Sequence, residues 1–460
     1  MSICDLGIKS KLNSSEVSIF VSRDHPLIKL GNVLPWEELF EIVLPDLKSS
    51  TVLGKWWLGR KLKVRIHLGV YCLQQLFNKT DRQIEYDIKD NAVYQIFCGK
   101  DIIDDFHVPD HTKVEEFRSR LSPSTQHTLA NKLSILACRL GFADCSDIDI
   151  DSTVQKANMA YPSDVNLMVK LCRIAIKVEN YLNNKISYFL GDVLTIDIRS
   201  IKAKARRCFF NRDKGQNLSI YLWQAVFEGV SKVRSKCSEL MSHQIRRMPW
   251  NIKRAMDQLI EYGQKYLLDV MHYLLDGNIV KGKALSFHLK EVSCFNKGWL
   301  DKLEFGRHHQ LTRLKGNFMM IGKCTDIRLE DKHAIKPLVE QNQELFGEGK
   351  LESITADKGY YSRANKEYLI KLGIKEIGLQ ESGKDSSLPD IADQALKEEL
   401  LNRRAGIEPL IGHLKANWQI GRSRMKTDET IISSAYSSVF GFNLRQLKRA
   451  AMGKIPKIAA

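Results

Sequence analysis

A chain of 460 residues, 43% hydrophobic and 27% charged, is long enough for two or three domains, each with its own core. No apolar run reaches the ~18 residues of a membrane span, no basic segment precedes an apolar one at the N-terminus, and the ten cysteines include no Cys-x-x-Cys pair. A secretory signal, a disulfide frame and a zinc site are therefore excluded, and the chain reads as a cytoplasmic protein with reduced thiols. The net charge of +16 points instead to a polyanionic partner, nucleic acid or an acidic membrane surface.

In chain order, residues 1–34 are polar and weakly patterned and read as a flexible arm. Residues 35–125 read as a basic helical module, opened by Pro35-Trp36 and continued by Val64, Leu68, Tyr71, Cys72 and Leu76 at helical spacing. Thr80-Asp81-Arg82-Gln83 and Pro109-Asp110-His111-Thr112 start further helices there. Such a module is a DNA reader or a helical support; composition leaves both open. The stretch Asp147-Ile148-Asp149-Ile150-Asp151-Ser152-Thr153-Val154 alternates acidic and β-branched residues, so a strand carries its three aspartates on one face. An exposed edge strand with charged gatekeepers explains that pattern. So does a cation site that relieves the repulsion.

A helical region then runs from Pro162 to about Gly277, and its last helix carries one apolar stripe through Met256, Leu259, Ile260, Leu267, Val270, Met271 and Leu274. Between Arg199 and Arg254 stand fourteen Lys/Arg against three Asp/Glu, most of the chain's excess charge. A solvated helical face accounts for part of this block; its density favours a surface that tracks phosphates. Beyond it come strand 303–314, the turn Lys315-Gly316-Asn317, strand 318–322 and helix 334–345. Strand 352–357 ends on Asp357 and meets the turn Lys358-Gly359-Tyr360. Helix 363–372, strand 374–379, a polar loop (381–390) and a helical C-terminus with Glu408 complete the chain. These five strands predict an α/β class: a mixed sheet flanked by helices.

Asp357 stands at the carboxyl end of a strand, where open α/β sheets place ligands. If the Asp151 strand lies beside it, two carboxylates converge, and Glu408 can complete an oxygen-only set suited to Mg²⁺ or Mn²⁺ rather than zinc. Arg404, Glu408 and Lys415 fall within about 40° of one another on a continuous helix. Two cations flanking a carboxylate can hold phosphate oxygens, whereas an ordinary i,i+4 ion pair needs no ligand at all. Gly406 and Pro409 argue for a kink or a new helix at that point.

Arg404-x3-Glu408-x6-Lys415 resembles the R-x3-E-x6-K signature of DDE transposases from bacterial insertion sequences. The Tyr which that signature places three residues before the Arg is Leu401 here. Asp151-Ser152-Thr153 with Tyr161-Pro162-Ser163-Asp164 resembles the family's first catalytic segment, and Ala356-Asp357-Lys358-Gly359-Tyr360 its second. Lys297-Gly298 and Glu304-Phe305-Gly306 resemble the lead into its core sheet. Tyr94-x2-Phe97-x-Gly99, Pro109-Asp110 and Phe117-Arg118 resemble the helical domain that precedes the core in the insertion-sequence-four/five group. The resemblance covers roughly residues 35–450.

The resemblance implies an RNase H-like five-stranded core over residues 146–445, interrupted by a basic helical insertion at about 165–285 and followed by a basic tail, 446–460. It implies Asp151, Asp357 and Glu408 as catalytic residues holding Mg²⁺ or Mn²⁺, as two ions. By the same resemblance Arg404, Lys415 and Lys358 would contact DNA phosphates, and Tyr360 would stack near the scissile end, although a core tyrosine fits that position equally well. Partners would be double-stranded DNA, as terminal inverted repeats and target, and a second copy of the chain; no membrane is involved and the protein would be nucleoid-associated. A nuclease without strand transfer and a DNA-binding protein with a decayed centre are the rival readings. A core strand pair could be joined in ~60 residues, whereas 206 positions separate Asp151 from Asp357, which is what the insertion explains. His308-His309 lies mid-strand, so the two rings face opposite ways and cannot share a metal. Gly347-Glu348-Gly349-Lys350 is too short for a phosphate-binding loop. The tail cations Arg445, Lys448, Arg449, Lys454 and Lys457 fit a frayed helix end or a phosphate contact.

Overall fold

The computed structural model describes residues 8–12, 15–19, 21–48, 57–99, 108–185, 197–210, 215–240, 242–278, 280–297, 302–324, 329–381, 388 and 391–458. Gly298 and most of the polar loop 381–390 lie outside them. Two compact units divide the chain, residues 1–158 with 293–460, and residues 159–292.

The first unit begins with a hairpin, β1 (Ile8–Leu12) and β2 (Ser15–Ile19), and then α1 (Pro26–Val33). The flexible arm expected over 1–34 is corrected here. His25 caps α1 by accepting from Leu27 N–H, Pro26 stands in its first turn, and Leu27, Leu30 and Leu34 are buried. Helices α2 (Trp36–Lys48), α3 (Trp57–Phe77), α4 (Asp81–Asp90), α5 (Ala92–Phe97), α6 (His111–Arg120) and α7 (Pro123–Arg139) follow. The starts of α4 to α7 have identifiable caps. Thr80 and Gln83 form a reciprocal capping box on α4, and Asp110 accepts from two backbone N–H groups of α6.

The sheet is built on β3 (Asp144–Lys156). Its other strands are β4 (Ser293–Lys297), β5 (Lys302–Lys315), β6 (Phe318–Ile321), β7 (Ser353–Ala356) and β8 (Glu376–Leu379). The order is β4-β5-β3-β7-β8, with β6 also paired to β5. This mixed sheet has one strand more than the five expected, because Ser293–Lys297 pairs antiparallel with the first turnless stretch of β5. β3 lies in the middle of the order, antiparallel to β5 and parallel to β7, so the edge-strand explanation of its aspartates does not hold. Ile148 and Ile150 are buried on one side, and Asp149 is 4% exposed on the other.

In unit two, α8 (Asp164–Lys185), α9 (Ile198–Phe210), α10 (Gly215–Ser238), α11 (Ser242–Arg246), α12 (Trp250–Tyr262) and α13 (Lys265–Asp276) surround a separate core that includes Leu171, Val178, Leu222, Val226, Leu259 and Leu267. The stripe read as one last helix is two, broken at Gly263-Gln264, and Ile260 is exposed. Returning to unit one, α14 (Ile335–Phe346) and α15 (Arg363–Lys371) flank β7 in sequence. Then come α16 (Gln394–Ala405), α17 (Ile407–Asn417) and α18 (Asp428–Ala451).

Helix α18 is buried nearly all round and packs on α1, α3, α7 and β6. Close approach is possible because residue 441 is glycine: a Cβ there would stand 2.4 Å from the Gln75 carbonyl oxygen. β6 is buried along its whole length, and among the described residues its outer edge pairs with no strand. Asn443 of α18 accepts from Met319 N–H (3.0 Å) and donates to Met319 C=O (2.7 Å). Asn131 of α7 accepts from Ile321 N–H (3.1 Å) and donates to Ile321 C=O (3.2 Å). Two side-chain amides thus replace the missing neighbour strand and satisfy a buried edge.

Candidate active site

The register of β3 and β7 fixes the centre of the site. They pair in parallel through Ile148 with Ile354 and Ile150 with Ala356, so Asp151 and Asp357 are the next residues along adjacent strands. Asp357 leaves β7 in extended conformation and starts a 3₁₀ turn, Lys358–Tyr360.

The three aspartates of β3 have different surroundings. Asp149 accepts from Thr355 Oγ1 (2.8 Å) and pairs with Arg403 (3.1 Å) and Arg313 (3.5 Å). Asp147 pairs with Lys315 (3.4 Å) and Arg403 (3.9 Å). Asp151 has no such cation among the described residues; its carboxylate accepts only the Ser152 N–H (2.7 Å). Its negative neighbours are Asp357, Asp331 and Glu408. Burial first, and then these three charges, push the Asp151 carboxyl up to about 6 against the pull of the Ser152 N–H.

Asp331 is a residue that the sequence reading missed. It stands on a 3₁₀ turn, Asp331–His333, where Gln310 Nε2 donates to it at 3.0 Å and His308 Nε2 lies 3.8 Å away. A Cβ on Gly359 would meet its Oδ2 at 3.1 Å, so the Asp357 turn passes directly against it. An acid between Glu330 and Lys332 carries no sequence signal, since such a triplet reads as ordinary surface.

Arg404 joins the other two acids. Its Nη2 lies 3.2 Å from Asp357 Oδ1 and 3.3 Å from Glu408 Oε1. The helix carrying it does not run through: α16 ends at Ala405 and α17 starts at Ile407, on either side of Gly406. Arg313 explains the glycine. Its Nη1 donates to the Arg403 carbonyl at 3.1 Å, and a Cβ on residue 406 would lie 2.1 Å from that same nitrogen. Gly406 keeps right-handed helical angles, so Arg404 still reaches Glu408 across the junction. Pro409, in the first turn of α17, gives up no helical hydrogen bond there.

Lys415 is half-buried in the last turn of α17, about 10 Å along the axis from Glu408. Lys358 is half-buried in the turn after Asp357. Tyr360 requires correction as a DNA-contacting residue: it is 0% exposed and offers no ring face to a base. Its hydroxyl donates to Gln310 Oε1, and burial, with Asp331 and Asp151 nearby, raises its pKa well above the usual phenol range. His308 and His309 face opposite ways: His308 Nδ1 meets the Leu329 carbonyl, while buried His309 Nε2 meets Gln155 Oε1.

Among the described residues no three His, Cys, Asp or Glu side chains close on a common point that would hold an ion. The donor chemistry nevertheless fits a hard divalent cation. The set contains carboxylate oxygens only, one of them half-buried and made less acidic by that burial and by its negative neighbours, and the Arg404 guanidinium already draws Asp357 and Glu408 together.

Residues 15–120 match the family described as Transposase domain (DUF772), and residues 323–433 the family described as Transposase DDE domain. The second match spans Asp331, Asp357, Arg404, Glu408 and Lys415, and Asp151 lies outside both. The chain is similar to the uncharacterized protein ORF8 in the nfe locus of Rhizobium meliloti, 21% identical over 173 residues, 37% of this chain and 80% of that protein. No solved structure matches the chain.

Proposed function

The two domain matches support a DDE transposase of insertion sequences, and from that premise we propose that the chain cuts DNA at the ends of such an element and joins the freed end to target DNA. Asp151, Asp357 and Glu408 are the catalytic set in this reading. The observation that carries it is the contrast within β3: Asp147 and Asp149 are neutralised by cations, while Asp151 faces three more carboxylates and no cation among the described residues.

Asp151, Asp357 and Glu408 would hold two Mg²⁺ or Mn²⁺ ions, which when bound make the attacking oxygen more nucleophilic and stabilise charge on the leaving one. The chain's own cations have separate work. Arg404 lies between two acids and would exchange them for phosphate oxygens when DNA enters, with Lys358 and Lys415 contacting the strand on either side. Water attack on a phosphodiester frees a 3′-hydroxyl. Attack by that hydroxyl on target DNA exchanges one phosphodiester for another, so strand transfer needs no nucleotide cofactor. The exposed cations of α9, Lys202, Arg206 and Arg207, opposite buried Ile201 and Ala205, support double-stranded DNA as the partner. One chain carries one acidic set and an element has two ends, so a homodimer on DNA is part of the proposal.

The test uses purified protein and a linear DNA carrying the ends that flank its gene, with Mg²⁺ or EDTA, beside Asp357→Ala. Cleaved and joined products that disappear in the variant and in EDTA are expected. Cleavage without joined products would leave a nuclease. Binding with no cleavage by wild type in Mg²⁺ or Mn²⁺ would leave a DNA-binding protein.

A further inference from the structure

The C-terminal end of α18 borders a cavity of about 500 Å³. Among the described residues four cations line it, Arg445, Lys448, Arg449 and Lys454, and no carboxylate does. Like charges gathered in one concavity repel one another and focus a positive potential there, which a bound anion relieves. The walls are built rather than frayed. Phe77 and Trp418 lie beneath the cations, with Lys448 Nζ 5.2 Å from the Phe77 ring and Arg445 Cζ 5.9 Å from the Trp418 ring. Trp418 is 6% exposed and donates its Nε1–H to the Gln75 carbonyl at 2.8 Å. Asn78 adopts a left-handed backbone conformation (φ 50°) and donates to the Asn417 carbonyl at 2.7 Å, tying α3 to the end of α17. Among the described residues Arg449 alone of the four spends a hydrogen bond locally, on Gln446 Oε1 at 2.9 Å.

We propose that this cavity is a second DNA site that holds backbone phosphates of the duplex whose scissile bond lies at the acidic set. The placement follows from α17, which carries Glu408 in its first turn and reaches the cavity with Asn417 at its last residue. That separation is about 14 Å along the helix, or about four base-pair steps of duplex DNA. One helix thereby spaces the cut phosphate from the held phosphates. A polyanion with regularly spaced charges suits four cations on a concave wall better than a single small anion does. The register to the acidic set rests on the function proposed above; phosphate binding by the cavity does not.

The experiment measures anisotropy of a labelled duplex carrying the flanking ends, over a series of salt concentrations, with the full chain and with Arg445→Gln/Lys448→Met. Met keeps an apolar stem on Phe77. A thermal melt shows whether the variant folds; if it does not, Arg449→Gln/Lys454→Gln, both exposed, replaces it. The expected result is affinity weaker by about tenfold and a log–log salt slope shallower by about 2, one for each lost phosphate contact. A folded variant with wild-type affinity and slope overturns the proposal, and so does one that loses only its binding to anionic lipid vesicles. A cleavage assay of the wild type, run alongside with Asp151→Asn as its inactive control, separates the two readings. If wild type cuts and joins while the cavity variant binds normally, the cavity falls and the acidic set stands. If wild type never cuts and the cavity variant loses DNA, the reverse holds.

Discussion

Three aspartates alternate along one strand, and their cations distinguish them. Arg313, Arg403 and Lys315 neutralise Asp147 and Asp149, leaving Asp151 with a carboxyl pushed up to about 6. An acid whose folded pKa exceeds its unfolded value of 3.8 opposes folding as pH rises between the two, and the full penalty is present above about pH 6. Asp151→Asn should therefore stabilise the metal-free protein by about 1–3 kcal/mol at pH 8 and by almost nothing below pH ~4, while abolishing cleavage. Melting curves at the two pH values check the sign, and an equal gain at both would remove the electrostatic explanation. Asp331 acts on the same field. Asp331→Asn keeps an acceptor for Gln310 but removes one negative charge beside Asp151, so Mn²⁺ affinity measured by calorimetry should fall by roughly tenfold. Unchanged affinity would make Asp331 a purely structural partner of Gln310.

Elements hold these residues in place through polar contacts that a hydrophobic pattern does not display. The β6 edge depends on Asn443, which accepts from and donates to the same residue, Met319. Asn443→Leu would leave the buried Met319 N–H unsatisfied, while Ser134 Oγ still donates to the Met319 carbonyl at 2.9 Å, and a loss of ~1–3 kcal/mol in urea unfolding is expected. Asn443→Asp, which keeps only the acceptor, should fall between it and wild type. An asparagine inside a helical run gives no hint of a strand edge, which is why the sequence did not reveal this contact. The same applies to Gly406, whose reason is Arg313 on a strand distant in sequence. What was legible obeyed local rules. The alternation of 147–154 marked a strand, and the apolar run ending on Asp357 marked another with a carboxylate at its end. Helix α1 was missed because only eight residues and a histidine cap define it, and β4 because five mixed residues become a strand only beside β5. Leu401 is half-buried on α16, and nothing in the structure explains the departure from the signature tyrosine.

At the scale of the whole molecule, unit two interrupts the sheet between β3 and β4 yet has its own core. The register shows what the interruption demands of the chain. Lys156 at the end of β3 and Ser293 at the start of β4 both pair with Gly306, from opposite sides of β5. Residue 306 must be glycine, because a Cβ would lie 1.9 Å from the Gln155 carbonyl oxygen. Two strand spacings separate the ends, about 10 Å, which three or four extended residues can cross. Replacing residues 159–292 with a Gly/Ser linker of about six residues should therefore leave unit one folded, with a cooperative melt and the Asp151→Asn stabilisation intact. Unit two should also fold alone. The shortened chain lacks the exposed cations of α9, so its duplex affinity should fall and its salt slope should flatten, in proportion to the phosphate contacts removed. A shortened chain that folds and binds DNA with the parent slope would assign recognition to unit one alone. A shortened chain that fails to fold would mean that unit one depends on residues 159–292 for its stability and would overturn the reading of two units that fold on separate cores.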